Sequence, residues 1–371
     1  WTKISPPEAS RGPARGAPAA GRRLCARASP RRPLERELMD LLNALVAILN
    51  FVVIPAAAYG AQLALGALGV TLIYGILRFS NFAHGDTMAF GTAIVILLTW
   101  WLQSMGVSFG PLPTALLALP LGIALTVLLA LLTDRWVYRH YRRVKAAPIV
   151  VVMASVGVMF VMNGLTRLLI GVGEIQFADG ARFVVSVPQF RAWTGLDEGL
   201  ALRTTQVITL VVAALAVWAL FRFLNRTRAG KAMRAYADNE DLALLSGIDP
   251  DRVVRLTWII AIALAVTAGT LYGLDKSFKA FNYFQILLPI FAAAIVGGLG
   301  NPMGAIAGGF LIAFSEVALT YPWKKIAEYL GFEPTGLLQM LGTEYKLAIS
   351  FVILIVVLLV RPTGLFRGKA Y

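Results

Sequence analysis

A succession of apolar segments, each near the length that crosses a bilayer, constrains this chain more than any other feature. They cover 40–57, 60–77, 84–103, 113–133, 147–170, 204–224, 252–274, 285–300, 303–320 and 346–361. An α-helix rises about 1.5 Å per residue, so about 20 apolar residues span a hydrocarbon core. A helix also satisfies its own backbone polar groups, which lipid cannot do. The pattern predicts an all-α, polytopic integral membrane protein with about nine or ten transmembrane or re-entrant helices, in contact with a lipid bilayer. The count stays open at two places. The first two segments almost touch, so Pro55 could merely kink one helix. Segment 285–300 is short and ends in Gly-Gly-Leu-Gly-Asn-Pro, which predicts a bend or a re-entrant turn.

Charge sets the expected orientation. The chain is 58% hydrophobic and 15% charged, with a formal net charge of +14. That charge would suit a nucleic acid, but most basic residues flank apolar segments, so no nucleic-acid partner is expected. Arg78, the connector 134–146, the connector 222–255 and the tail from Arg361 hold 16 Lys/Arg, against seven in the alternating connectors. The positive-inside rule places those four regions, and with them both termini, in the cytoplasm. Cys25 is the only cysteine, and His84 and His140 are the only histidines, so neither a disulfide nor a metal site is expected, and no cofactor.

Residues 1–38 carry nine Lys/Arg among Pro, Ala and Ser, with too little apolar surface to offset ordering entropy. They read as a disordered basic tail, upstream of or foreign to a unit that begins at Met39 and runs to 371.

Three places are polar at membrane depth. Asn81, Phe82, His84, Gly85 and Asp86 form either a broken helix end satisfied by these groups or part of a translocation path. Gly297, Gly298, Gly300 and Asn301 supply either close helix packing or exposed backbone along a path. Arg167 and Glu316 each lie about four residues from the outer end of a span, so their matched depth predicts a buried ion pair.

The longest polar break in the second half, Gly230–Gly247, reads as two short helices. Asp238 or Asn239 can cap the second, Glu240 and Asp241 suit its first turn, and Gly247 suits its C-terminal cap. Asp249-Pro250 then restarts a helix. So short a helix is marginal alone in water, and either the membrane surface or a partner must hold it. The chain has no G-x-x-x-x-G-K-[ST] phosphate loop and no catalytic constellation, so any ATP use requires a separate subunit.

Four stretches in order, LGVTLIYGILRFSNFAHGD, RAYADNEDLALLSGIDPDRV, AAAIVGGLGNPMGAIAGG and RPTGLF, carry a resemblance. From about Met39 to Arg367 the chain resembles the permease subunits of bacterial high-affinity branched-chain amino-acid ABC transporters. The resemblance implies a second homologous permease, two cytoplasmic ABC ATPases, a periplasmic substrate-binding protein and an inner-membrane location. It also implies that 229–250 is the cytoplasmic coupling segment, with Arg234, Asp238, Asn239, Glu240, Ala243 and Gly247 meeting the ATPase. The same family holds urea and short-chain amide permeases, which remain an alternative substrate class. An ion-coupled secondary transporter built on His84, Asp86, Glu316 and Arg167 is the rival from another class.

Overall fold

The computed structural model describes residues 33–329, 342, 345–361 and 363–366. Most of the tail read as disordered lies outside these residues, but its last six, from Pro33, already belong to a helix. That helix, α1 (Pro33–Ile48), runs through a π-helical turn at Leu49–Val53 into α2 (Ile54–Leu77). The first two apolar segments are thus one continuous element, and the turn sits just before Pro55, where the ring would crowd a regular ladder.

The remaining long helices are α3 (His84–Ser104), α4 (Ala115–Thr133), α6 (Pro148–Ile170), α8 (Thr204–Arg226), α11 (Pro250–Lys276), α12 (Ala280–Gly297) and α13 (Pro302–Thr320). With the first helix, eight are long and apolar enough to cross a membrane. The apolar α15 (Lys346–Val360) is shorter, at 15 residues. Segment 285–300 does not re-enter: α12 starts earlier, at Ala280, and reaches full span length. Short helices fill the connectors: α5 (Arg139–Arg143), α7 (Val187–Thr194), α9 (Arg228–Asp238), α10 (Glu240–Leu245) and α14 (Lys324–Tyr329).

Helices α2 and α11 form the centre. They pack on each other, α2 also on α13 and α11 also on α3 and α4. Both are buried around most of their circumference, and α2 is rich in Ala and Gly that let neighbours approach. Helices α4, α6, α8 and α15 are peripheral and expose Leu, Val and Phe, as a lipid-facing rim requires. Between α12 and α13 the backbones touch: a Cβ at Gly297 would lie 2.1 Å from the Gly304 carbonyl oxygen, and one at Gly304 equally close to that of Gly297.

The ends of the bundle differ. At one end lie Arg78, α5, α9, α10 and Arg361, so the four basic regions fall together, as their charge predicted. The other end carries the 171–203 connector, with α7 and a two-stranded antiparallel pair, β1 (Phe183–Val185) and β2 (Leu202–Arg203). A bridge between Ile175 and Phe278, 2.8 Å in each direction, ties that connector to the α11–α12 turn. Asp179 fastens it to α3 and α4 by accepting from Gln103 at 2.9 Å and from the Thr114 hydroxyl at 2.6 Å.

The first and last described elements pack at different places. Helix α1 packs on α14, and its Asn43 accepts from the Glu198 amide at 3.1 Å, both at the far end. The C-terminal Leu365 amide donates to the Val296 carbonyl at the basic end. Helix α1 and the turn at Leu365 therefore lie at opposite ends of the bundle.

Candidate functional site

The polar break at 229–250 folds as a capped pair at the basic end. Thr227 caps α9 by accepting from the Gly230 amide at 3.0 Å, and Asn239, not Asp238, caps α10 by accepting from the Leu242 amide at 3.0 Å. Asp249 caps α11 in the same way through the Asp251 amide. Gly247 takes φ 79°, which closes the turn between α10 and α11. Tyr236 donates to Glu240 at 2.6 Å and joins α9 to α10. Burial, and then the Glu240 carboxylate, push the Tyr236 phenol well above its ordinary range, so it stays a donor.

The faces of α10 are not those expected. Ala243 is 3% exposed and packs inward, so it does not present itself to a partner. Leu245 is 86% exposed and Leu242 61%, and Leu244 is also exposed. Sequence reasoning missed these leucines because a six-residue helix has too few turns to show a periodicity. Glu240 and Asp238 are exposed beside them, while Arg234 is half-buried and lines a cavity of about 50 Å³ with Ala237, Gly300 and Pro302.

Two connections run from this segment into the bundle. The first is Arg78, which ends α2 in the left-handed region at φ 57° and donates its guanidinium to the Ala237 carbonyl at the end of α9. A cation at a helix C-terminus answers orphan carbonyls. The second begins at Asp251 in the first turn of α11, which accepts from Arg139 at 2.7 Å. Buried Asp134 accepts from Arg142 at 2.6 and 2.9 Å and from the Trp258 indole at 2.8 Å. Trp258 stacks on Tyr138 at 5.3 Å, and the Tyr138 hydroxyl donates to Asn81 at 3.2 Å. The sequence signal for Asp134 was its place as the lone acid in the basic connector 134–146.

Both connections meet at the α2–α3 turn. After Arg78 the chain turns back into the bundle, so that His84, the first residue of α3, packs on Gly69 of α2. Gly69 lies eight residues before the end of α2, about 12 Å inside at the rise of a helix. Asn81 accepts from the Ala83 amide at 3.2 Å and supports this buried helix start. Phe82 rests on Phe291 of α12 at 5.3 Å, and Gly85 packs against the Tyr283 carbonyl. Asp86 accepts from Asn163 of α6 at 2.7 Å. At this helix start Asn81 faces Tyr138, His84 faces α2 and Asp86 faces α6, while Phe82 and Gly85 pack on α12.

The glycine turn does structural work. Gly297 lies in the contact with α13, Gly298 packs on the C-terminal turn, and Asn301 caps α13 by accepting from the Met303 and Gly304 amides at 3.1 and 3.2 Å. Only Gly300 faces the cavity beside Arg234.

Arg167 and Glu316 do not meet. Arg167 is exposed on α6, and Glu316 is buried on α13, where it accepts from Ser350 of α15. Among the described residues no ion pair joins them. Matched depth fixes height along the bundle but not the direction a helix face points.

A family model described as "Branched-chain amino acid transport system / permease component" matches residues 53–358. The chain is 31% identical over 316 residues to the high-affinity branched-chain amino acid transport system permease protein LivH of Escherichia coli, covering 82% of this chain and 91% of LivH. It is 29% identical over 310 residues to BraD, a permease protein of the same description from Pseudomonas aeruginosa, covering 82% and 92%. A weaker likeness, 26% over 151 residues, joins it to the permease LivM of Escherichia coli, covering 38% of this chain and 35% of LivM. With eight membrane-length apolar helices among the described residues, this chain is a multi-pass membrane protein and belongs to the family of permease components of branched-chain amino acid transport systems.

Proposed function

We propose that the chain is one of two permease halves of an ATP-driven, binding-protein-dependent importer of branched-chain amino acids. The substrate class is supported by the names of LivH and BraD, and the paired permease by the separate likenesses to LivH and LivM. The observation that carries the reading is the exposed leucine face of α10, held at the basic end by caps on both sides. Three exposed leucines on so short a helix leave apolar surface that a partner cleft would remove from water. A cytoplasmic ATPase is the partner that fits, because the chain carries no phosphate loop of its own.

In this reading the two ATPases close when they bind ATP and push on α10. The push reaches the end of α2 through Arg78 and Ala237. It reaches the start of α3 through α11, Trp258, Tyr138 and Asn81. Both routes end at the α2–α3 turn, so a shift of the coupling segment moves the helix that starts inside the bundle. A periplasmic binding protein delivers the amino acid at the far end, where basic residues are few.

The test is reconstitution of the complete assembly in proteoliposomes with its binding protein, followed by uptake of labelled leucine and labelled urea. The reading expects ATP-dependent accumulation of leucine and none of urea. Accumulation of urea without leucine moves the substrate to amides, and leucine uptake driven by an ion gradient without ATP contradicts the mechanism.

A further inference from the structure

We infer that a cavity at the far end, between α2, α11, α13 and α15, binds the zwitterionic head of a free amino acid. The inference rests on the import reading above and adds to it a site within this chain. The cavity is about 520 Å³ and brings together groups of both signs. Glu316 is 1% exposed and lines it, held by the hydroxyls of Ser350 and Tyr59. Lys276 and Lys346, both exposed, line it too. Tyr59, Tyr272 and Tyr321 complete its wall.

The charges explain why a zwitterion fits. Both ammonium side chains line the one cavity. Lys276 shares Asp275 at 3.2 Å, whereas Lys346 has no carboxylate in ion-pair contact among the described residues. The cavity thus has a carboxylate at its buried side and two exposed ammonium side chains at its open side. An amino acid entering with its ammonium toward Glu316 and its carboxylate toward the lysines answers both at once. The aromatic wall then accepts an aliphatic side chain. A neutral amide such as urea answers neither charge. An acidic side chain of a docking protein would answer the lysines but bring a second carboxylate toward Glu316.

The experiment uses the purified permease–ATPase assembly in lipid nanodiscs with the binding protein left out. Saturation-transfer NMR measures binding of leucine, of 4-methylpentanoate, which lacks the ammonium, and of 3-methylbutylamine, which lacks the carboxylate. In the wild type each analogue should bind about tenfold or more weakly than leucine, the cost of one charge-assisted contact. Lys346→Ala should weaken leucine about tenfold and leave 3-methylbutylamine unchanged, and Lys346→Arg should restore leucine. Glu316→Gln should weaken leucine and leave 4-methylpentanoate unchanged. Lys346 is exposed, so its variants test the site even if Glu316→Gln does not fold.

Equal binding of the three ligands overturns the proposal, as does leucine binding unchanged by Lys346→Ala. Weakened docking of the binding protein to Lys346→Ala, with leucine binding intact, assigns the lysines to an acidic protein partner and likewise overturns it. If the wild type imports leucine while these binding results fail, only this site is wrong. If the wild type imports urea and not leucine, the transport reading itself has failed.

Discussion

Arg78 shows how one residue can be tested for linkage apart from folding. Its positive φ costs a non-glycine residue about 1 kcal/mol, and its guanidinium is the bond between α2 and α9. Arg78→Gly removes the link while suiting the backbone. The variant should keep a melting temperature close to wild type and lose most of its leucine uptake, measured in the same membranes. Uptake at wild-type level would remove Arg78 from the coupling route. Tyr138→Phe tests the second route, because it deletes only the hydroxyl that donates to Asn81. It should cost about 1 kcal/mol of stability, read by thermal unfolding, and reduce uptake. Ala243→Arg is not a docking probe: the site is buried, so a long cation there should loosen α9 from α10.

At the scale of elements, the α12–α13 contact and the far-end connector make separate predictions. Gly304→Val places a Cβ 2.1 Å from the Gly297 carbonyl oxygen, so the two helices must part. It should destabilise the bundle by at least about 2 kcal/mol, visible as an earlier thermal transition of the detergent-solubilised protein. The pH response of the connector follows from Asp179. Burial raises its carboxyl, but hydrogen bonds from Thr114 and Gln103 outweigh that and hold it below the ordinary value of 3.8. A depressed folded value stabilises the fold above the unfolded value and loses that contribution as pH falls through the folded one. Proteolysis within 171–203 should therefore be slow near neutrality and accelerate below about pH 4, the ordinary range of an aspartate. Asp179→Asn should remove most of that acid dependence. An unchanged acid response in that variant would assign it to another group.

For the whole molecule, the spans were legible because hydropathy is a local property that any 20-residue window of α3, α11 or α13 displays. The basic connectors likewise declared a common end before any contact was known. What failed depended on three-dimensional direction. The fusion of α1 with α2 runs through one π turn before Pro55, a residue that marks a kink or a break equally well in sequence. Arg167 and Glu316 agree in depth, but Arg167 is exposed on α6 while Glu316 turns inward to Ser350. Within the candidate site, Asn239, Gly247 and Asp249 were legible as caps because capping is local chemistry. Arg78, Asp134 and Trp258 act through partners 159, 124 and 124 residues away in sequence, beyond the reach of spacing arguments.

The central claim is that α10 is the surface an ATPase drives. Leu245, the most exposed leucine of that helix, tests it most directly. A photo-reactive amino acid placed at position 245 of the assembled transporter should cross-link to the ATPase subunit, and Leu245→Asp should insert normally yet uncouple ATP hydrolysis from leucine uptake. Cross-links only to lipid or to the binding protein, together with full uptake by Leu245→Asp, would contradict it.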